Sequence, residues 1–322
     1  MKLDKMLSSG TSVILAKFLG KKVPLAVGWE LTHKCNHTCK YCITCNKFNN
    51  ELTTKQIFKI VDELKEMGCQ VIGYTGGEAL LRNDLKQIIH YTKKKGIYVM
   101  LTTNGGLVPE KINDILEVDN VQLTLDGPKR INDLQREKGM YDETIKAIKI
   151  FKENSIKTTL NCVITKYNQD HVPQILAEAE ELGVSIAFQP VAKNLKQLVP
   201  DAKKYRKALD YLISEKENGN KNLNQSISIL KHISRWPNES PITCAAGIIY
   251  CRIDPEGYVA PCNMIYQESK VNELNAAKVG FKNAFNNLPK MDCKECWHHS
   301  RLDLNFIYNF DINTILSVAK HQ

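Results

Sequence analysis

The run Cys-Asn-His-Thr-Cys-Lys-Tyr-Cys at residues 35–42 gathers three thiols, Cys35, Cys39 and Cys42, in one short segment. Thiolate sulfur is the soft ligand that iron–sulfur clusters select, and saturating a four-iron cluster takes four cysteines. A compact set of three therefore leaves one iron open to another ligand. The competing reading is a zinc knuckle, completed by His33, His37 or Cys45 in a tetrahedral site.

Working outward, a buried-looking strand at residues 70–74 runs straight into Thr75-Gly76-Gly77-Glu78, an element that a zinc knuckle does not predict. Cys-x3-Cys-x2-Cys with Tyr41 before the third cysteine, followed by Gly-Gly-Glu, resembles the radical S-adenosylmethionine (SAM) superfamily. The resemblance implies that Cys35, Cys39 and Cys42 hold a 4Fe-4S cluster whose open iron is chelated by the amino and carboxylate groups of SAM. It further implies reductive cleavage of the sulfonium to a 5′-deoxyadenosyl radical. Glu78 resembles the residue that helps hold the SAM amino group, and Gly76 and Gly77 let backbone approach a ligand closely.

From residue 27 to residue 191 short β-rich runs alternate with amphipathic helical segments, each unit long enough for a parallel crossover. Six strands are predicted, at 27–33, 70–74, 97–103, 121–126, 158–165 and 184–190. Between the first two, Thr53 or Thr54 caps a helix with Ile57, Ile60, Val61, Leu64 and Met67 on one face and Gly68 at its end. Leu85, Ile88 and Ile89 precede Gly96, and Val172, Ile175, Leu176 and Ala179 precede Gly183, in the same pattern. Repetition of this kind curls toward an α/β partial (β/α)6 barrel of TIM type, which the resemblance also implies.

A barrel puts function at the carboxyl ends of its strands. Thr103 and Asn104 end the third strand, as a patch resembling the one that contacts the methionyl carboxylate or ribose, or as a plain Asn-Gly turn. Asp126 ends the fourth as a turn or a ribose or substrate contact. Asn161 and Gln189 reach the mouth if they point inward, and Tyr41 is positioned to offer its backbone to adenine. No catalytic residue is singled out.

A second cysteine group follows residue 240. Cys244, the hairpin-like Gly257-x4-Cys262 and Cys293-x2-Cys296 supply four thiols, enough to saturate one cluster. The pattern resembles the twitch form of the SPASM extension, implying a second, auxiliary 4Fe-4S cluster. A structural zinc ribbon would use the same four residues. Cys251 is either a buried thiol on the hairpin or a ligand replacing Cys244. Cys45, Cys69 and Cys162 read as packed thiols, and His298, His299 and Arg301 either touch substrate or shield the cluster or, as the preferred reading, lie on the surface. The expected divisions are a basic, apolar segment at 1–24, the core at 25–200, a helical linker or end of core at 201–240, the auxiliary unit at 241–300 and a helix at 301–322.

Eleven cysteines in 322 residues without a secretory signal imply a reducing cytoplasm. The net charge of +9 is spread over lysine-rich helix faces with no dense basic and aromatic stripe, so no nucleic-acid partner is expected. No apolar run is long enough to span a bilayer. Apolar stretches at 6–19 and 304–318 either cover the open side of the barrel or touch a membrane surface. With only about two dozen residues ahead of the first strand, too few for a leader-binding domain, the expected substrate is a small molecule or lipid. The predicted chemistry is oxidation or rearrangement, with the auxiliary cluster accepting an electron and a low-potential flavodoxin or ferredoxin as donor. The alternatives are a SPASM-type ribosomal-peptide maturase and a non-catalytic iron–sulfur or zinc-binding protein.

Overall fold

The computed structural model describes residues 3–42, 50–262, 274–293 and 296–321. All six expected strands form: β1 (Ala26–Glu30), β2 (Val71–Thr75), β3 (Tyr98–Thr102), β4 (Asn120–Thr124), β5 (Thr158–Ile164) and β6 (Ser185–Pro190). Each pairs in parallel with its sequence neighbour, giving the order β6-β5-β4-β3-β2-β1 of simple βα repetition. β1 and β6 do not pair, so the described sheet is an open, partial barrel rather than a closed one.

Local chemistry explains the crossovers. Thr53 caps the helix Thr54–Glu66 through a capping box, its hydroxyl accepting from the Gln56 backbone while Gln56 Oε1 accepts from Thr53 N at 2.9 Å. Ile57, Ile60, Val61 and Leu64 then face the sheet and are buried, each contributing about 1.5–3 kcal/mol by leaving water. The helices Leu85–Lys94 and Val172–Glu181 bury the predicted apolar positions in the same way.

Two further strands extend the sheet beyond the expected six. β7 (Tyr250–Ile253) pairs in parallel with β1, and β8 (Val259–Ala260) returns antiparallel to it. The hairpin of the second cysteine group therefore continues the sheet across the division expected at residue 240. β1 would otherwise present a row of unpaired backbone groups at an edge, and β7 satisfies them. An ion pair buried on both sides ties the two strands: Arg252 Nε donates to Glu30 Oε1 at 2.9 Å and Arg252 Nη2 donates to Glu30 Oε2.

The helix Leu3–Leu19 packs Val13 and Ala16 against Ala245, Ala246, Ile249, Tyr250 and Tyr308. The apolar stretch at 304–318 is split rather than continuous, into helices His299–Tyr308 and Ile312–His321, with Phe310 at positive φ between them.

Candidate active site

The Gly-Gly-Glu segment is stitched to the backbone that leads into the first cysteine loop. Gly77 N donates to Thr32 O at 2.7 Å and Glu78 N to Lys34 O at 2.8 Å. That approach needs glycine: a Cβ on Gly77 would lie 2.2 Å from Lys34 O, and one on Gly76 2.3 Å from Thr32 O. The carboxylate of Glu78 is fully buried and accepts from Leu80 N at 3.0 Å, Asn104 N at 2.7 Å and Thr103 Oγ1 at 2.9 Å. Burial raises its pKa, and the hydrogen bonds from Asn104, Leu80 and Thr103 oppose that rise. Asn104 Nδ2 in turn donates to Asn36 Oδ1 at 2.8 Å and points at Cys35 Sγ, 3.9 Å away. Thr103 and Asn104 thus link Glu78 to the cysteine loop.

Tyr41 uses its side chain, donating its hydroxyl to Asp126 Oδ2 at 2.8 Å. Asp126 is buried at the end of β4, where Oδ1 also accepts from Val163 N at 2.8 Å and the backbone N donates to Asn132 Oδ1 at 2.9 Å. Its carboxylate therefore braces β4 against β5 and holds Tyr41. Beside it lies a residue that the sequence did not mark, Arg136, which is buried, donates to Thr124 O at 2.8 Å and meets the Cys39 thiol. Burial pushes the Cys35 and Cys39 thiols up, and the Arg136 guanidinium pulls Cys39 back down. Of the histidines of the zinc reading, His37 is engaged elsewhere through both ring nitrogens. His37 has Glu143 at 2.9 Å on Nε2 and Glu137 at 3.2 Å on Nδ1, while His33 Nδ1 lies 4.0 Å from Glu30. Cys45 lies outside the described residues. A hydrogen-bond donor from Asn104 beside Cys35 and the Arg136 cation beside Cys39 are surroundings that suit an iron–sulfur cluster.

A cavity of about 600 Å³ joins the barrel mouth to the second cysteine group. Tyr41, Thr124, Asn161 and Gln189 line one side, and Cys244, Cys262, Cys293 and Cys296 line the other. Asn161 points inward as required, and its buried Oδ1 has no protein partner. Burial followed by the charges of neighbouring cysteines pushes Cys293 up to about 11 and Cys296 up to about 12. A bound cation relieves that mutual repulsion, so the donor set fits a metal centre. Among the described residues no three His, Cys, Asp or Glu side chains close on a single point, so the thiols share a wall without forming a finished coordination sphere. Cys251 is not at this wall. It is buried in the main core on β7, where burial and the nearby Cys69 raise its pKa, whereas Cys244 Sγ sits at the cavity, 3.8 Å from Tyr250 Oη. Cys69 and Cys162 are packed thiols as well.

The surface placement expected for His298, His299 and Arg301 is overturned. His298 and Arg301 line the cavity, and His299 is buried because its helix starts against β6, its backbone N donating to Gln189 Oε1 at 3.2 Å. Burial and then Arg301 lower His299 to about 4, so the ring is neutral and its Nε2 accepts from Gln122 Nε2 at 3.2 Å. Lys193 lies 5.5 Å above the Trp297 ring on the same rim.

Residues 29–179 match the Radical SAM superfamily. They are a radical SAM domain. Its cofactors are a 4Fe-4S cluster and SAM. Mycofactocin maturase MftC of Mycolicibacterium smegmatis is 26% identical over 300 residues, 88% of this chain and 72% of that one. Fe-coproporphyrin III synthase of Methanosarcina barkeri is 33% identical over 174 residues, 52% of this chain and 43% of that one. PqqA peptide cyclase of Granulibacter bethesdensis is 30% identical over 173 residues, 50% and 46% respectively. The chain thus spans under half the length of the last two. SuiB of Streptococcus suis, solved with S-adenosylmethionine, has the same fold, with a TM-score of 0.66 at 17% identity over 82% of this chain and 66% of that one.

Proposed function

We propose that this chain is a SPASM-type radical SAM enzyme that oxidatively modifies a peptide. The observation that carries the reading is the single cavity walled by the barrel mouth on one side and by Cys244, Cys262, Cys293 and Cys296 on the other. A first cluster with SAM beside Tyr41 at one side of this cavity would supply a hydrogen-abstracting 5′-deoxyadenosyl radical, and a second cluster at the thiol wall a resting place for the electron left on substrate. Cys35, Cys39 and Cys42 would hold the first and the four cavity thiols the second. Glu78, fixed by Thr103, Asn104 and Leu80, would take the SAM ammonium, and Asn161 Oδ1 offers an acceptor to the bound molecules. Trp297, Ile242 and Val191 make much of the remaining wall apolar, which excludes water from a reactive centre.

The relatives' names favour a peptide over the small molecule or lipid expected from the sequence. The similarity that covers 88% of this chain is to a maturase, and another relative is named for a peptide substrate. The match to the porphyrin synthase stops at about half of this chain. A test is anaerobic reconstitution with reductant and SAM, then co-expression with short peptides encoded beside the gene and intact-mass analysis. The expected results are 5′-deoxyadenosine and a peptide lighter by two hydrogens. S-adenosylhomocysteine as the only SAM product, or zinc retained at the four cavity thiols under iron-replete conditions, would refute the reading.

A further inference from the structure

The two helical ends of the chain carry apolar residues on more than their packed faces. Val13 and Ala16 of the first helix face inward, but its other side shows Ile14, Phe18 and Leu19 to solvent. The last helix and the turn before it do the same with Phe310, Ile312, Ile315 and Leu316. Among the described residues the four most exposed large apolar side chains, Leu19 at 73%, Phe18 at 71%, Ile312 at 70% and Leu316 at 54%, all belong to these segments. The rings of Phe18 and Phe310 stack with centroids 5.9 Å apart, so the segments form one surface. Such a concentration marks an interaction face rather than scattered surface residues.

Its charge says what covers it. Lys17 Nζ donates to Asn309 Oδ1 at 3.0 Å and lies 4.4 Å over the Tyr308 ring, Lys21 is exposed, and Lys22 is close enough to Lys290 to feel its charge. The carboxylates described there, Asp311, which accepts from Ser228 Oγ at 2.9 Å and Thr314 N at 2.7 Å, and Asp303, whose pKa burial pushes up to about 7, are fewer than Lys17, Lys21 and Lys22. A second copy would bring lysine against lysine on a chain of net charge +9. Phe18, Leu19 and Leu316 stand exposed outside the groove that Phe310 and Ile312 line.

We propose that this face docks on an anionic lipid bilayer, with Phe18, Leu19, Ile312 and Leu316 in the interface and the lysines at the level of the phosphates. Ile242 connects this surface to the chemistry. It lines both the groove beside Phe310 and Ile312 and the cavity of the four thiols. The inference stands on the surface alone and does not depend on the substrate.

The test is flotation of the full reconstituted chain with vesicles of phosphatidylcholine alone or of an equal mixture with phosphatidylglycerol. The chain is expected to float with the mixture only, to release at high salt, and to lose binding by about tenfold or more as Phe18→Ser/Ile312→Ser/Leu316→Ser. Circular dichroism and cluster absorbance report whether that variant is folded. Lys21→Glu, at an exposed residue beyond the helix, is a second variant expected to weaken binding. Absence of binding to the mixture, equal binding to phosphatidylcholine, or undiminished flotation of the folded variants overturns the proposal. So does a concentration-dependent dimer that the same substitutions disperse.

Discussion

Arg252→Met should destabilise the protein far more than the combined Glu30→Met/Arg252→Met change. The two side chains are 4% and 5% exposed and bond to each other through two donors, so removing the guanidinium strands a carboxylate away from water. Breaking a buried pair in this way costs about 3–5 kcal/mol, whereas replacing both members by well-packed apolar residues is often neutral. Against a total stability of about 5–15 kcal/mol, the single change is severe. With a urea slope of about 3 kcal/mol per molar, the unfolding midpoint of Arg252→Met should fall by about 1–1.7 M. The double variant should return most of the way to the parent. Anaerobic urea titration followed by tryptophan fluorescence measures both, and iron content tracks whether the second cysteine group survives. A single variant within about 0.5 kcal/mol of the parent, the range of an ordinary surface change, would refute the reasoning.

Three other outcomes follow from the site. Gly77→Ala would drive a Cβ into Lys34 O and part the Gly-Gly-Glu turn from the cysteine loop; equilibrium dialysis should show SAM affinity reduced at least about tenfold, or about 1.4 kcal/mol, and an unchanged Kd would count against the turn's role. Cys293→Ala/Cys296→Ala should lower iron content and abolish product while sparing slow 5′-deoxyadenosine formation; undiminished product from the folded variant would make the second thiol set structural. Asp303 is held at about 7 in the folded chain against about 3.9 when unfolded, so its stabilising, protonated form is lost as pH rises from about 4 through 7. Asp303→Asn should accordingly raise Tm more at pH 8 than at pH 5, and equal shifts at the two pH values would argue that the carboxyl is not desolvated.

The barrel was legible because its elements are local. Each crossover helix carries its own apolar stripe and terminator, and Thr53 with Gln56 announces a helix start within four residues. The Cys35 loop and Gly-Gly-Glu were legible for the same reason. What the sequence hid were meetings of distant segments. Arg136 sits in an ordinary charged stretch, and only the fold brings Cys39, Thr124 and Asp126 around it. His298 and His299 read as surface residues because nothing nearby shows that their helix begins against β6. The pairing of β7 with β1 joins residues more than two hundred positions apart, and no periodicity reports such a partner.

That pairing makes the C-terminal hairpin a protective cover as well as a carrier of thiols. Cutting the chain after residue 240 would leave β1, with its buried Trp29 and a Glu30 stripped of the Arg252 guanidinium, as a bare edge ready to recruit strands from other molecules. The first cysteine loop could then be intact and the protein still precipitate. Exchanging the hairpin for one from another protein would meet the same demand, since a graft must match four residues of β1, Ala26 to Trp29, in register and bring its own cation to Glu30. The part of the chain that holds the second thiol set is therefore also what lets the first half of the chain stay single in water.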